Sequence, residues 1–228
     1  ELGETEKARV NYERALQALP NENEQETAEI ATLRSTILHN LAALVAQQGD
    51  NQRALSLWQQ ALARQEKTGE TTGKASTLNS LAGLYAQTGE TKRALSLWQE
   101  AIILSEQAGD MQGKAASLYK MAGIIAQQGD PQRALSLVQE ALTNYKQTKD
   151  SKGEAAAISL IAHLTAQQGD VSRALELWQQ ALGLFEQIYD VHSKAGILHN
   201  MASALAEQGQ VQKAIDLWQQ ALSIKQQI

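Results

Sequence analysis

Residues 48–62 read Gln48-Gly49-Asp50-Asn51-Gln52-Arg53-Ala54-Leu55-Ser56-Leu57-Trp58-Gln59-Gln60-Ala61-Leu62, and nearly the same text returns from Thr88-Gly89-Glu90 to Trp98 and Ala101. Gly49, Gly89, Gly129, Gly169 and Gly209 stand at a constant interval of 40 residues. A fixed period with this much identity marks an array of one supersecondary unit. It also bears on function, because stacked units make a long continuous surface, whereas a catalytic pocket gathers unlike residues from unlike places.

The unit around Gly89 shows what repeats. Leu78, Leu81, Ala82 and Tyr85 fall at helical spacing before the glycine, and Ala94, Leu95, Trp98, Ala101 and Ile102 repeat that spacing after it. The glycine supplies the left-handed residue that stops the first helix, and the acid after it can cap the second. Asp50, Asp130 and Asp170 are better caps than Glu90, and Pro131 sits at a first helical position, where its missing N–H costs nothing. Glu70, Asp110, Asp150 and Asp190 recur between units and are expected to cap the following first helix. Two helices of about 17 residues joined by short turns fill the period, so each unit is an antiparallel helical hairpin and the chain is all-α.

Small residues carry the packing. Alanine recurs at Ala42, Ala82, Ala122, Ala162 and Ala202 on first helices, and at Ala54, Ala94, Ala134, Ala174 and Ala214 on second helices. A third column runs through Ala61, Ala101, Ala141, Ala181 and Ala221. Alanine lets helix backbones approach closely, and a large neighbour must fill the remaining space. That filler is Trp58, Trp98, Trp178 and Trp218, with Val138 in the third unit and Tyr12 in the leading segment. All four tryptophans are thus expected in the core.

The 228 residues are 43% hydrophobic and 20% charged, enough apolar surface to fold rather than stay disordered. No apolar run is long enough to span a bilayer, and neither a signal peptide before the repeats nor a membrane partner is expected. Cysteine is absent, which removes disulfides, thiolate ligands and cysteine nucleophiles and favours a cytoplasmic location. The net charge of −5 comes wholly from residues 1–29, with eight acids against three bases, leaving 17 of each over residues 30–228. A neutral array offers no basic stripe to release counterions from nucleic acid, so that partner is not expected either.

These residues resemble the tetratricopeptide repeat (TPR), in the 40-residue, long-helix variety found in spindle-orientation adaptors and multidomain bacterial signalling proteins. Leu78, Leu81-Ala82 and Tyr85 match its first helix, with Leu for Trp and Ala for Gly, while Ala94, Trp98 and Ala101 match its second. The resemblance implies an α-solenoid of antiparallel helix pairs forming a right-handed superhelix, as a single array. Residues 1–20 would be the second helix of a truncated repeat, followed by repeats over 22–68, 70–108, 110–149, 150–189 and 190–228. Pro20 matches the family's terminal proline. The interval from Gly3 to Gly49 is 46, so a longer first helix is expected, starting near Glu22 or Glu24 and ending at Gln48. Because the sequence opens at Glu1 inside a repeat and closes at Ile228 in a second helix, a fragment of a larger multidomain protein is expected.

In this family the first helices line a concave groove. Carried over by position, its lining is His39, Asn40 and Ala43; Asn79, Ser80 and Gly83; Tyr119, Lys120 and Gly123; Ser159, Leu160 and His163; and His199, Asn200 and Ser203. These vary in size and polarity while the packing positions barely change. Asn40, Asn79 and Asn200 would suit a terminal carboxylate, but Lys120 is the one formal charge in the set, which argues against a carboxylate clamp. An open, nearly neutral groove suits an extended peptide or an amphipathic helix.

The remaining motifs have blander readings. His163 and His199 lie in adjacent units without a carboxylate or thiolate predicted beside them, so no metal is expected. Arg53, Arg93, Arg133, Arg173 and Lys213 read as solvated convex-face cations. Lys74, Lys114 and Lys194 sit in first turns, and Gly73-Lys74 and Gly113-Lys114 lack the strand of a phosphate loop. No catalytic constellation and no cofactor motif is present, so the chain is read as a non-enzymatic binding scaffold for a protein or peptide. The alternative is an oligomerisation module assembling through its exposed end helices.

Overall fold

The computed structural model describes residues 2–20 and 26–226; the expected helix start at Glu22 or Glu24, and the chain ends at Glu1 and Ile228, lie outside them. Among the described residues there are helices and turns and no strand. The helices are α1 (Leu2–Ala18), α2 (Ala28–Gln47), α3 (Asn51–Thr68), α4 (Thr71–Gln87), α5 (Thr91–Ala108), α6 (Met111–Gln127), α7 (Pro131–Thr148), α8 (Ser151–Gln167), α9 (Val171–Gln187), α10 (Val191–Glu207) and α11 (Val211–Gln226).

One backbone device ends the helices before the turns from Gln48 to Gln210. At Gly49 (φ 86°) the chain turns left-handed, Gly49 N donates to Ala46 O at 3.0 Å, and Asp50 N donates to Val45 O at 3.2 Å. Asp50 Oδ1 then accepts from Arg53 N at 3.1 Å. The same residue therefore closes one helix with its N–H and opens the next with its carboxylate. Asp130 and Asp170 do likewise toward Arg133 and Arg173, and Asp110, Asp150 and Asp190 toward Gly113, Gly153 and Ser193. The glutamates do not: Glu70 and Glu90 make no side-chain cap. Their extra methylene carries the carboxylate elsewhere, Glu70 to the Ser35 hydroxyl at 3.0 Å and Glu90 to Arg93 at 3.3 Å. Two turns between repeats replace glycine by Lys149 (φ 57°) and Tyr189 (φ 56°), a conformation that costs a side-chain-bearing residue free energy.

The longer first helix is present. α2 has 20 residues against 17 for α4, α8 and α10. It starts at Ala28, where the Thr27 hydroxyl accepts from Ile30 N at 3.3 Å. Arg34, buried within α2, pairs with Glu26 at 2.8 Å and donates to the Pro20 carbonyl, tying the connection after α1 to the helix it feeds.

Packing divides the chain into two compact units, the boundary falling inside α6 between Ser117 and Leu118. In the first, α2 packs on α3 and α4 on α5, α3 meets α4, and α2 lies beside α4. In the second, α8 packs on α9 and α10 on α11, α7 meets α8, α9 meets α10, and α8 lies beside α10. The alanines of the three columns are wholly buried, all but Ala221. Trp58, Trp98, Val138 and Trp178 fill the space beside them. Trp218 differs: it is 37% exposed, part of a stripe on α11 with Val211, Ile215 and Leu222 that no described helix covers. The architecture is an all-α solenoid of antiparallel helix pairs.

Candidate functional site

Within the first unit, α2 and α4 present His39, Asn40, Asn79 and Ser80, all half-buried. Two of these are bound into the scaffold. His39 Nδ1 lies 3.0 Å from the Thr77 hydroxyl, and its ring is tilted against Trp58 with centroids 6.5 Å apart. Asn79 Oδ1 accepts a hydrogen bond from Trp98 Nε1 at 3.0 Å. A groove asparagine thus spends its acceptor on the core, leaving its amide N–H groups for anything on the surface.

Burial lowers the pKa of His39 below the ordinary histidine value of 6.5. Unfolded chains therefore bind the proton more readily than folded ones, so stability is full above that pH and declines as pH falls toward the folded-state value. Urea midpoints are expected to fall between about pH 7 and pH 5.5, and His39→Gln to flatten part of that fall. An unchanged slope in the variant would show that His39 does not carry it. Glu6, Glu13 and Asp190, whose pKa values are lowered chiefly by hydrogen bonds from Arg9, Arg53 and Ser193, act in a separate, more acidic window.

Within the second unit the stripe is Tyr119 and Lys120 on α6, Ser159 and His163 on α8, and His199 and Asn200 on α10. Burial raises the Tyr119 pKa, and desolvation by neighbouring atoms lowers that of Lys120, although its side chain is exposed. Four of the residues expected to line the groove come together. His163, His199 and Asn200 line a half-open pocket of about 270 Å³, with Ser203 beside them and Ala166, Ala204 and Trp178 as its apolar part. The Gln167 amide nitrogen lies 3.1 Å from His163 Nε2, holding that ring, and His199 tilts against Trp218 at 6.3 Å. Ser159 does not line the pocket.

Two polar pocket residues escaped the sequence reading, Gln167 and Glu207, as did the apolar Ala166 and Ala204. The polar pair occupies a column that reads Gln47, Gln87, Gln127, Gln167 and then Glu207. That one change of charge was the available signal.

The comparisons with known proteins bear on this geometry. A tetratricopeptide repeat family model matches residues 33–107. The model described as soluble NSF attachment protein, SNAP, matches residues 82–227. The chain is a tetratricopeptide-repeat protein. By the longer match, which spans more than half its length, it belongs to the SNAP family as well. No curated protein matches its sequence.

Solved structures share the TPR fold. BtubC (BKLC) from P. vanneervenii superposes with a TM-score of 0.79 at 20% identity, covering 97% of this chain and 91% of that one. The putative kinesin light chain repeats of Podosopora anserina give a TM-score of 0.65 at 25% identity, covering 86% and 95%. A Rap protein complexed with Competence and Sporulation Factor gives 0.65 at 15% identity, covering 99% and 71%.

Other features of the TPR helices prove structural. Lys74 is held between Glu66 and Glu100, each at 3.2 Å, while Lys114 pairs with Glu106 at 2.7 Å and Lys194 with Glu186 at 2.6 Å. These first-turn lysines tie α4, α6 and α10 to the second helix before each, and Lys74 also reaches α5 after it. Arg93 is likewise engaged rather than merely solvated, stacking over the Tyr85 ring at 3.9 Å from its centroid. Among the described residues no group of three or more His, Cys, Asp or Glu could hold a metal, and no helix is long and apolar enough to cross a membrane.

Proposed function

We propose that this TPR chain is a non-catalytic protein–protein interaction scaffold of the cytoplasm. It would bind a peptide or helical segment along its first helices, as one array within a larger multidomain protein. The observation that carries this reading is the pocket on α8 and α10. There the first-helix face gathers polar groups over an apolar floor, the make-up of a recognition site rather than of a solvated helix face. The fold is shared with a Rap protein solved in complex with a factor, which fits a scaffold role. His39, Asn40, Asn79, Ser80, Tyr119, Lys120, Ser159, His163, His199 and Asn200 are the proposed contacts.

The test is to select binders from a random peptide library and measure their affinity for the chain and for a Tyr119→Ala, Lys120→Ala double variant. Binding is expected to weaken about tenfold, the size of a modest hot spot, with helicity unchanged. Equal affinity for both proteins would move the site off this face.

A second reading has its own observation. The exposed row Val211, Ile215, Trp218 and Leu222 on α11 has the spacing of a helix-packing seam. Assembly through that seam predicts a mass that rises with concentration in light scattering and returns to that of a monomer in Leu222→Lys. A constant monomer mass would remove it.

A further inference from the structure

The pocket between α8 and α10 differs from the rest of the first-helix face in two ways. At the position of His163 the other repeats carry Ala43, Gly83, Gly123 and Ser203. Around Gly83 and Gly123 nothing lies within 4 Å of where a Cβ would stand. His163, held by Gln167, therefore raises a wall that those repeats lack. The second difference is Glu207, which replaces the glutamine of the other repeats and is the only formally charged residue lining the pocket. Its carboxylate takes no hydrogen bond or ion pair from any described residue.

We infer that this pocket accepts a cationic side chain, an arginine or lysine of the bound segment, with Glu207 as its counter-charge. The inference rests on the scaffold reading and specifies one subsite of it. The methylene stem would lie on Ala166, Ala204 and Trp178, while the charged head reaches Glu207 and the acceptors of Asn200 and Ser203. No lysine or arginine lines the pocket to repel that head or to attract an acidic group instead. The pocket's two histidines and glutamate do not converge as a metal-ligand set.

The experiment uses the whole chain and four probes, the N-acetyl amides of arginine, lysine, citrulline and glutamate, titrated while the histidine and indole signals are followed by NMR. Citrulline keeps the shape of arginine without its charge. Saturable shifts of His163, His199 and Trp178 are expected from arginine and lysine, with citrulline about fivefold weaker, the upper range of an exposed ion pair. Glu207→Gln restores the residue that four repeats already carry, so folding is preserved, and it should abolish the difference between arginine and citrulline. Equal binding of arginine and citrulline, a preference for the glutamate probe, a preference for arginine that survives Glu207→Gln, or no binding at all would each overturn the inference. Library peptides that bind through Tyr119 and Lys120 without favouring basic residues would overturn it too, while leaving the scaffold reading intact.

Discussion

Replacing Trp98 by alanine is expected to lower the unfolding free energy by about 3–5 kcal/mol, measured by urea denaturation followed by circular dichroism. Trp98 is buried, one helical turn from the wholly buried Ala94 and Ala101 on the same helix. Those alanines have no longer side chain to swing into the void, so the cavity stays open and its cost is not relaxed. The substitution also strands Asn79 Oδ1, which loses the indole N–H it accepts from. Trp218→Ala supplies the control, since it makes the same change at the same register on a tryptophan already 37% exposed. A much smaller loss is expected there. Equal losses at the two sites would mean that burial does not set the cost.

Converting Asn79 to leucine is expected to destabilise by about 1–3 kcal/mol, because it leaves the Trp98 N–H buried and unpaired. The reciprocal change should stabilise. Trp178 is buried with no partner for Nε1, and the residue at the place of Asn79 in its repeat is Ser159, too short to do the same service. Ser159→Asn would supply the missing acceptor and is expected to add about 1 kcal/mol. The two variants share a readout, the urea midpoint, and opposite signs are the result that supports the pairing rule. If Ser159→Asn lowers the midpoint, the two tryptophan environments are not equivalent.

Most of the fold was legible because the repeats state it redundantly. Alanine columns, glycine stops and tryptophan fillers each recur at one interval, so a single hairpin read correctly gives the others. What could not be read was decided by lengths of single side chains. Glu70 was expected to cap as Asp110, Asp150 and Asp190 do, yet those aspartates reach their helices and Glu70 turns to Ser35 instead. Asn79 and His39 looked like free groove residues because their column varies, but variation also reflects which residue lies beneath: Trp98 for Asn79, Thr77 and Trp58 for His39. The pocket's one formal charge, Glu207, lies outside the groove stripe, one turn further along α10 than Ser203.

Those contacts made only once have a consequence for how the chain finds its own shape. Hairpins with nearly the same text offer nearly interchangeable docking faces, so a first helix can settle on the wrong neighbour at little cost in apolar burial. Ser35 to Glu70, His39 to Thr77 and Trp98 to Asn79 are satisfied together only when α2, α4 and α5 hold their own places in the order. They act as address labels, telling otherwise identical parts which one comes next.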